Sequence, residues 1–200
     1  MQKLIKRGFD IAVALSLGLL LAPALLALYF MVKSRLGAPV FFTQTRIGMG
    51  ERPFTLIKFR TMQDGVENDA ERLTPFGKWL RSTSLDELPE LWNIIKGDMS
   101  LVGPRPLLPE YLPYYTQEEQ QRHAMRPGIT GLAQICGRNA TTWEDRLRYD
   151  REYVRDFSVM TDLWILWRTI MIVLKREGIA ADGHATMPRL DDYRKTLPPQ

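Results

Sequence analysis

The feature that most constrains this chain is an uncharged apolar run from Ile11 to Val32. At a rise of 1.5 Å per residue, the run forms a helix of roughly 33 Å, about the thickness of the hydrocarbon core of a bilayer. A cleaved signal peptide has a shorter apolar core, whereas this run continues past Ala22-Pro23-Ala24 to Phe30. We therefore expect this segment to lie in a membrane in the mature protein.

The flanks and the middle of this run bear on its topology. Basic residues lie on both sides, Lys3, Lys6 and Arg7 before the run and Lys33 and Arg35 after it. The positive-inside rule therefore does not choose an orientation. Pro23 predicts a break, because proline lacks the N–H and clashes with the preceding turn. Two arrangements stay open at this point: a re-entrant helix with both ends on the cytoplasmic side, and a kinked helix that crosses once.

Length and composition limit the rest of the chain. Two hundred residues allow one catalytic domain beside the membrane element, and we expect a membrane helix over 1–35, a cytoplasmic domain over 36–176 and a tail over 177–200. The net charge of +4 suits an anionic partner. No nucleic-acid partner is expected, because the sequence has no zinc spacing, RNA-binding aromatic signature or basic stripe. The single Cys136 excludes an intrachain disulfide and indicates a reducing compartment.

Local patterns predict a small amount of β-structure in a mostly helical chain. The runs 39–45 and 54–60 flank the glycine-containing loop 48–50 and predict a β-hairpin. The segment 159–175 is rich in Leu, Ile, Met and Trp, which suits either an interfacial amphipathic helix or a buried core helix. The expected fold is α+β and mostly helical, with a membrane element, interfacial helices and a small hairpin.

Asp86 and Glu87 form the candidate catalytic pair. Pro89 is tolerated in a first helical turn, so a helix is expected to begin around Asp86 to Leu88, with both acids at its N-terminus. A structural alternative stays open, because Ser84 and Glu87 have the spacing of a capping box. Adjacent acids on a helix point about 100° apart, so the two carboxylates would have different roles.

Cations in constrained backbone surround this pair in the sequence. Proline or glycine neighbours restrict several of them, and the set comprises Lys58, Arg60, Arg81, Arg105, Arg126 and Arg138. Guanidinium groups match phosphate oxygens in shape and charge. Each arginine alone is more simply a surface or ion-pair residue, but together with two carboxylates they predict a pyrophosphate site with a metal ion.

Three longer motifs carry a resemblance to a known family. They are the run from Arg81 to Leu107, the segment Lys58-Phe-Arg-Thr-Met and the segment Arg126-Pro-Gly-Ile-Thr-Gly-Leu-Ala-Gln. In these motifs the chain resembles the monotopic bacterial phosphoglycosyl transferases, and its short length resembles the small PglC-type members that begin protein glycosylation. The family's helix break is commonly Ser-Pro, whereas here it is Ala22-Pro23.

The resemblance implies an activity and roles for the matched residues. It implies transfer of a sugar 1-phosphate from a UDP-sugar, of the N-acetylated amino type, to undecaprenyl phosphate at the cytoplasmic face of the bacterial inner membrane. Asp86 would become a covalent phospho-sugar, Glu87 would assist with Mg²⁺ and activation, and Arg81 and Arg105 would contact phosphate, with Lys58 nearby. The helix broken at Pro23 would be re-entrant.

Two other functions use the same residues. A metal-dependent phosphatase or pyrophosphatase acting on membrane lipid phosphates would use water as the acceptor and release free sugar phosphate. A membrane-anchored scaffold would need the acids only as helix caps.

Overall fold

The computed structural model describes residues 2–63, 65, 72–136, 142–175 and 189–196. Its α-helices are α1 (Gln2–Leu20), α2 (Ala22–Leu36), α3 (Pro75–Ser82), α4 (Glu90–Lys96), α5 (Gln117–Gln120), α6 (Leu132–Cys136), α7 (Trp143–Arg155), α8 (Val159–Lys175) and α9 (Leu190–Lys195). The strands are β1 (Phe41–Ile47), β2 (Pro53–Phe59), β3 (Ser100–Val102) and β4 (Gly128–Thr130), paired as β1–β2 and β3–β4. Short 3₁₀ turns occupy Met49–Glu51, Leu85–Glu87, Pro109–Tyr114 and Gln121–Ala124. The predicted α+β class with a small hairpin is confirmed.

The chain divides into two compact units. Unit 1 comprises Met1–Gln44 and Thr55–Leu101, and unit 2 comprises Thr45–Phe54 and Val102–Gln200. Each unit has a hydrophobic core of its own.

The N-terminal helices are bent at the position that the sequence indicates. Among the described residues, no single helix has both the length and the apolar composition of a membrane crossing, whereas α1 and α2 together do, with a bend of 65° between them. Pro23 lies in the first turn of α2, where a missing N–H is tolerated. The break is therefore found where Pro23 predicts it, and the choice between a re-entrant and a crossing helix stays a prediction.

Helix α1 is attached to α4 and β3 inside unit 1. The Arg7 guanidinium donates to the carbonyl oxygens of Ile95, at 3.3 Å, and Met99, at 3.5 Å. The carboxylate of Asp10 accepts from Ser100 Oγ at 2.7 Å and from the Leu101 N–H at 3.3 Å. Asp10 is only 2% exposed, and its hydrogen bonds compensate the cost of burying a charge. The polar end of α1 thus joins the segment that follows the Asp-Glu pair.

The core of unit 1 lies between α2, the hairpin and α3. Its buried members are Leu28, Val32, Val40, Phe59 and Leu80. Helix α3 begins with Pro75 after Thr74, whose side chain accepts from the Gly77 N–H at 3.0 Å as an N-cap. An added Cβ at Gly77 would lie 1.9 Å from the carbonyl oxygen of Thr61, so α3 needs glycine there to approach the end of the hairpin.

Unit 2 has an aromatic core that includes the C-terminal helix. Its buried members are Leu107, Tyr111, Tyr115, Trp143, Leu147 and Leu190. Leu190, on α9, is fully buried, and Arg194 on the same helix donates to Glu119 Oε1 at 2.5 Å. The segment 189–196 is therefore packed onto unit 2.

Helix α8 has the bounds predicted from composition, 159–175, and exposes much of its apolar surface. The exposed side chains are Met160, Leu163, Trp164, Trp167, Ile170 and Leu174. Asp162, by contrast, is buried and accepts from the Tyr153 hydroxyl at 2.8 Å. A buried core helix would show the opposite distribution, so that alternative is wrong.

Candidate active site

The Asp-Glu pair lies in the 3₁₀ turn Leu85–Glu87, ahead of α4. The predicted helix start between Asp86 and Leu88 is wrong: α4 begins at Glu90, and Pro89 directly precedes it instead of lying in its first turn. The capping-box alternative is wrong. Ser84 has a left-handed backbone, with φ of 55°, and its side chain makes no capping hydrogen bond, whereas an N-cap residue is extended. The pair therefore has no helix-capping role with Ser84.

Lys58 joins two carboxylates beside this turn. Its Nζ lies 2.6 Å from Glu87 Oε1 and 3.1 Å from Glu90 Oε1. The side chains of Lys58 and Glu87 are 17% and 18% exposed, and that of Glu90 is 4% exposed. Sequence reasoning missed Glu90. Glu90 follows Glu87 by three residues, a spacing that places two side chains on one face of a helix, and this spacing could have indicated a shared cation.

Asp86 is buried and differs electrostatically from its neighbour. Burial and then the negative charge of Glu87 raise the pKa of Asp86 from 3.8 to about 6, and the cations of Lys58 and Arg81 offset part of this rise. Arg81 donates from Nε to Thr61 Oγ1 at 3.0 Å. Four of the predicted site residues, Lys58, Arg81, Asp86 and Glu87, therefore form one electrostatic cluster in unit 1.

Arg60 has a clear structural contact in the same unit. Its Nη2 donates to the carbonyl oxygens of Leu36 and Gly37, the latter at 2.8 Å, and the residue is 6% exposed. These carbonyls end α2, where the last turn leaves acceptors without intrahelical partners. Arg60 therefore stabilises the end of α2, and its contact with phosphate stays a prediction.

Arg105 and Arg126 belong to unit 2, where the backbone of Gly103, two residues before Arg105, lies against that of Arg126 and Gly128. A Cβ added at Gly103 would be 2.2 Å from the carbonyl oxygen of Arg126 and 2.9 Å from the Gly128 N. Any side chain at Gly103 would collide with this backbone, so the close packing of the two motifs requires glycine at this position. Arg138, the remaining predicted phosphate-binding residue, lies outside the described residues.

The carboxylates present fit a magnesium ion. In the described part of the chain, no cluster of three or more Asp, Glu, His or Cys side chains suited to a metal ion is found. Mg²⁺ is usually bound through one or two carboxylates together with substrate phosphates and water. Asp86 and Glu87 supply two adjacent carboxylates, and the raised pKa of Asp86 marks an anion that a cation would stabilise.

Comparison with known proteins assigns the chain to a family. The family model for bacterial sugar transferases matches residues 1–176. The chain belongs to this family. This sugar transferase is 46% identical over 192 residues to the uncharacterized sugar transferase EpsL of Bacillus subtilis (strain 168), covering 93% of this chain and 95% of that protein.

Two further relatives are named for a specific activity. The sugar transferase is 39% identical over 200 residues to the UDP-galactose-lipid carrier transferase of Erwinia amylovora, covering 88% of this chain and 42% of that protein. It is 37% identical over 188 residues to the UDP-N-acetylgalactosamine-undecaprenyl-phosphate N-acetylgalactosaminephosphotransferase of Aeromonas hydrophila, covering 87% and 44%. The chain thus spans less than half the length of these two relatives.

The family match confirms the resemblance found in the motifs. All of the predicted site residues, from Pro23 to Arg138, lie inside the matched residues 1–176. The predicted class, a transferase that acts on sugars, is therefore confirmed for this sugar transferase. Helix α9 lies beyond the matched residues.

Proposed function

We propose that this chain transfers a sugar 1-phosphate from a UDP-sugar to undecaprenyl phosphate, giving undecaprenyl-diphospho-sugar and UMP. The main observation that supports this proposal is that the adjacent carboxylates of Asp86 and Glu87 have different environments. Glu87 is 2.6 Å from the Lys58 ammonium, whereas within the described residues the buried Asp86 makes no ion pair. A desolvated carboxylate without its own counter-ion is poised as a nucleophile, and its neighbour is held for another task.

The proposed reaction has two steps through Asp86. In the first, an Asp86 carboxylate oxygen attacks the phosphorus that bears the sugar, the new O–P bond forms, and the bond to UMP breaks. In the second, an oxygen of undecaprenyl phosphate attacks the same phosphorus and releases the Asp86 carboxylate. Lys58 and Arg81 lower the electrostatic cost of bringing an anion to a diphosphate. The scheme is ping-pong.

The proposal includes a magnesium ion bound by the two carboxylates. Asp86 and Glu87 would hold the ion, and it would supply charge compensation for the diphosphate. Activity should be lost in excess EDTA and return when Mg²⁺ is added. Full activity in EDTA would remove the ion from the proposal.

The sugar and the site of action are part of the same proposal. An N-acetylated amino sugar is proposed from the motif resemblance, and the name of the Aeromonas relative includes such a sugar. Glycoconjugate assembly, with protein glycosylation as the proposed pathway, would begin with this product. A panel of UDP-glucose, UDP-galactose and the two UDP-N-acetylhexosamines, assayed by UMP release with undecaprenyl phosphate, tests the sugar class.

The proposed location is the cytoplasmic face of the bacterial inner membrane. The bent pair α1–α2 would enter and leave by the same face, because both of its flanks carry basic residues. The exposed apolar side chains of α8, with Trp164 and Trp167 among them, suit the headgroup region. These two observations support attachment to the membrane by two different elements.

The deciding experiment omits the acceptor. Wild-type protein is incubated with a UDP-sugar labelled in the sugar, and protein-bound label and UMP are measured. We expect one UMP per adduct in the wild type and neither in Asp86→Asn. Asp98→Asn is the matched control, since Asp98 pairs with Lys96 at 2.9 Å beyond the other end of α4 and should keep the adduct. Absence of UMP until undecaprenyl phosphate is added would contradict the covalent role, and release of free sugar phosphate would indicate the phosphatase.

A further inference from the structure

The loop that carries Arg105 is held through its carbonyl groups. Four consecutive carbonyl oxygens accept hydrogen bonds inside unit 2: that of Pro104 from the Gly128 N–H at 3.0 Å, that of Arg105 from Arg122 Nη2 at 2.6 Å, that of Pro106 from Arg46 Nη1 at 3.3 Å, and that of Leu107 from the Ile47 N–H at 3.1 Å. The donors come from separate parts of the unit. The loop has no helical or strand pairing of its own, and its backbone is held by donors from other parts of the unit.

The two prolines explain this arrangement. Pro104 and Pro106 have no N–H and fixed φ angles, and Arg105, which precedes a proline, is restricted to extended backbone. The remaining freedom is the rotation of the peptide planes. A donor on each carbonyl fixes these planes, and this in turn fixes the position and direction of the Cα–Cβ bond of Arg105.

Arg122, which donates to the Arg105 carbonyl, is held in a fixed orientation by its own contacts. It is 2% exposed, and its Nε and Nη2 donate to Asp150 Oδ2 at 3.1 Å and 2.7 Å. Its guanidinium also lies over the ring of Tyr115, with Cζ 5.7 Å from the ring centroid. Asp150 neutralises the buried charge and sets the orientation of the guanidinium. Nη2 makes both the bond to Arg105 and one bond to Asp150, and Nε makes the second bond to Asp150. A lysine would lose the Nε bond and the planar guanidinium, so its ammonium would hold the Arg105 carbonyl in a less defined direction.

We propose that Arg122, oriented by Asp150, is a positioning residue that places Arg105 for the phosphate groups of the nucleotide sugar. Arg46 has the same role through the carbonyl of Pro106. The inference rests on the proposed function, since it takes Arg105 as a contact of the diphosphate. Neither Arg122 nor Asp150 contacts the substrate in this proposal.

A double-mutant cycle tests it with UDP as the ligand. The dissociation constant of UDP is measured by calorimetry for the full chain in detergent, for Arg122→Lys, Arg105→Ala and the double variant. We expect Arg122→Lys to weaken UDP binding about tenfold in the wild-type background and by less than about twofold in the Arg105→Ala background. Arg148→Lys, at an exposed ion pair on α7, is the matched control and should change nothing in either background.

The cycle separates positioning from a general loss of structure. Equal weakening in both backgrounds, or none in the wild-type background, would overturn the proposal. If Arg122→Lys does not fold, Arg46→Gln replaces it in the cycle, because Arg46 is only partly buried. Arg46→Gln should likewise weaken UDP binding in the wild-type background and much less in the Arg105→Ala background. If Arg105→Ala alone leaves UDP binding unchanged, the phosphate role of Arg105 is wrong and the inference falls with it, whereas the Asp86 adduct experiment is unaffected.

Discussion

Replacing Asp86 by Asn should inactivate the protein and at the same time stabilise it. Burial raises the pKa of Asp86 from 3.8 to about 6, so the folded state disfavours its ionised form. A rise of about two pKa units corresponds to roughly 3 kcal/mol of lost stability once the group is ionised in both states. Asparagine keeps the size of the side chain without the charge, so it should recover most of this free energy.

The sign of the effect depends on pH. The folded-state pKa lies above the unfolded one, so the penalty is absent below pH 3.8, grows between pH 3.8 and 6, and is complete above pH 6. For a chain of this size, 1 kcal/mol shifts Tm by about 2–4 °C. Asp86→Asn should therefore raise Tm by roughly 5–10 °C at pH 8 and by little at pH 4.

The measurement is thermal unfolding in detergent with EDTA present, so that no cation compensates the carboxylates. Asp98→Asn serves as the control, because Asp98 is already paired with Lys96 and should gain no stability. A helix-capping Asp86 would instead leave the stability nearly unchanged in this variant, because Asn caps a helix about as well as Asp does. An unchanged or lower Tm for Asp86→Asn at pH 8 would refute the account of Asp86 as a buried, uncompensated nucleophile.

Three further outcomes are expected. Single cysteines at Gln2 and Ser34 should both resist a membrane-impermeant thiol reagent added from the periplasm, and periplasmic labelling of either one would show a helix that crosses. Gly103→Ala should destabilise unit 2 by about 3 kcal/mol, measured by denaturant unfolding, because the added Cβ would lie 2.2 Å from a backbone oxygen. Lys58→Met should lower Tm more than Glu90→Gln does, since it leaves two carboxylates without their cation; the reverse order would show that the Lys58 pair contributes little.

Several local features followed from the sequence alone. The break near Pro23, the hairpin around Gly48 and Gly50, and the bounds of α8 at 159–175 match the structure. Proline geometry, glycine turns and runs of apolar residues act over a few neighbouring positions, so a sequence pattern contains the physical cause. The family motifs likewise needed no structure to be recognised.

The environment of each charged group required the tertiary structure. Lys58 and Glu87 are separated by 29 positions, and only packing brings their side chains to 2.6 Å. Arg60 shares a motif with Lys58, yet it binds the carbonyls that end α2. Two cations of the same motif thus have different partners, which the order of residues does not specify.

The sequence by itself determined the family, the uncharged apolar run near the N-terminus and the residues available for chemistry. The tertiary structure decided which carboxylate is paired and which is buried without an ion pair in the described chain, and it revealed Glu90 and the Arg122–Asp150 pair. The physical reason is that burial and charge pairing depend on long-range contacts. The energies of backbone turns, by contrast, depend on the residues next to them.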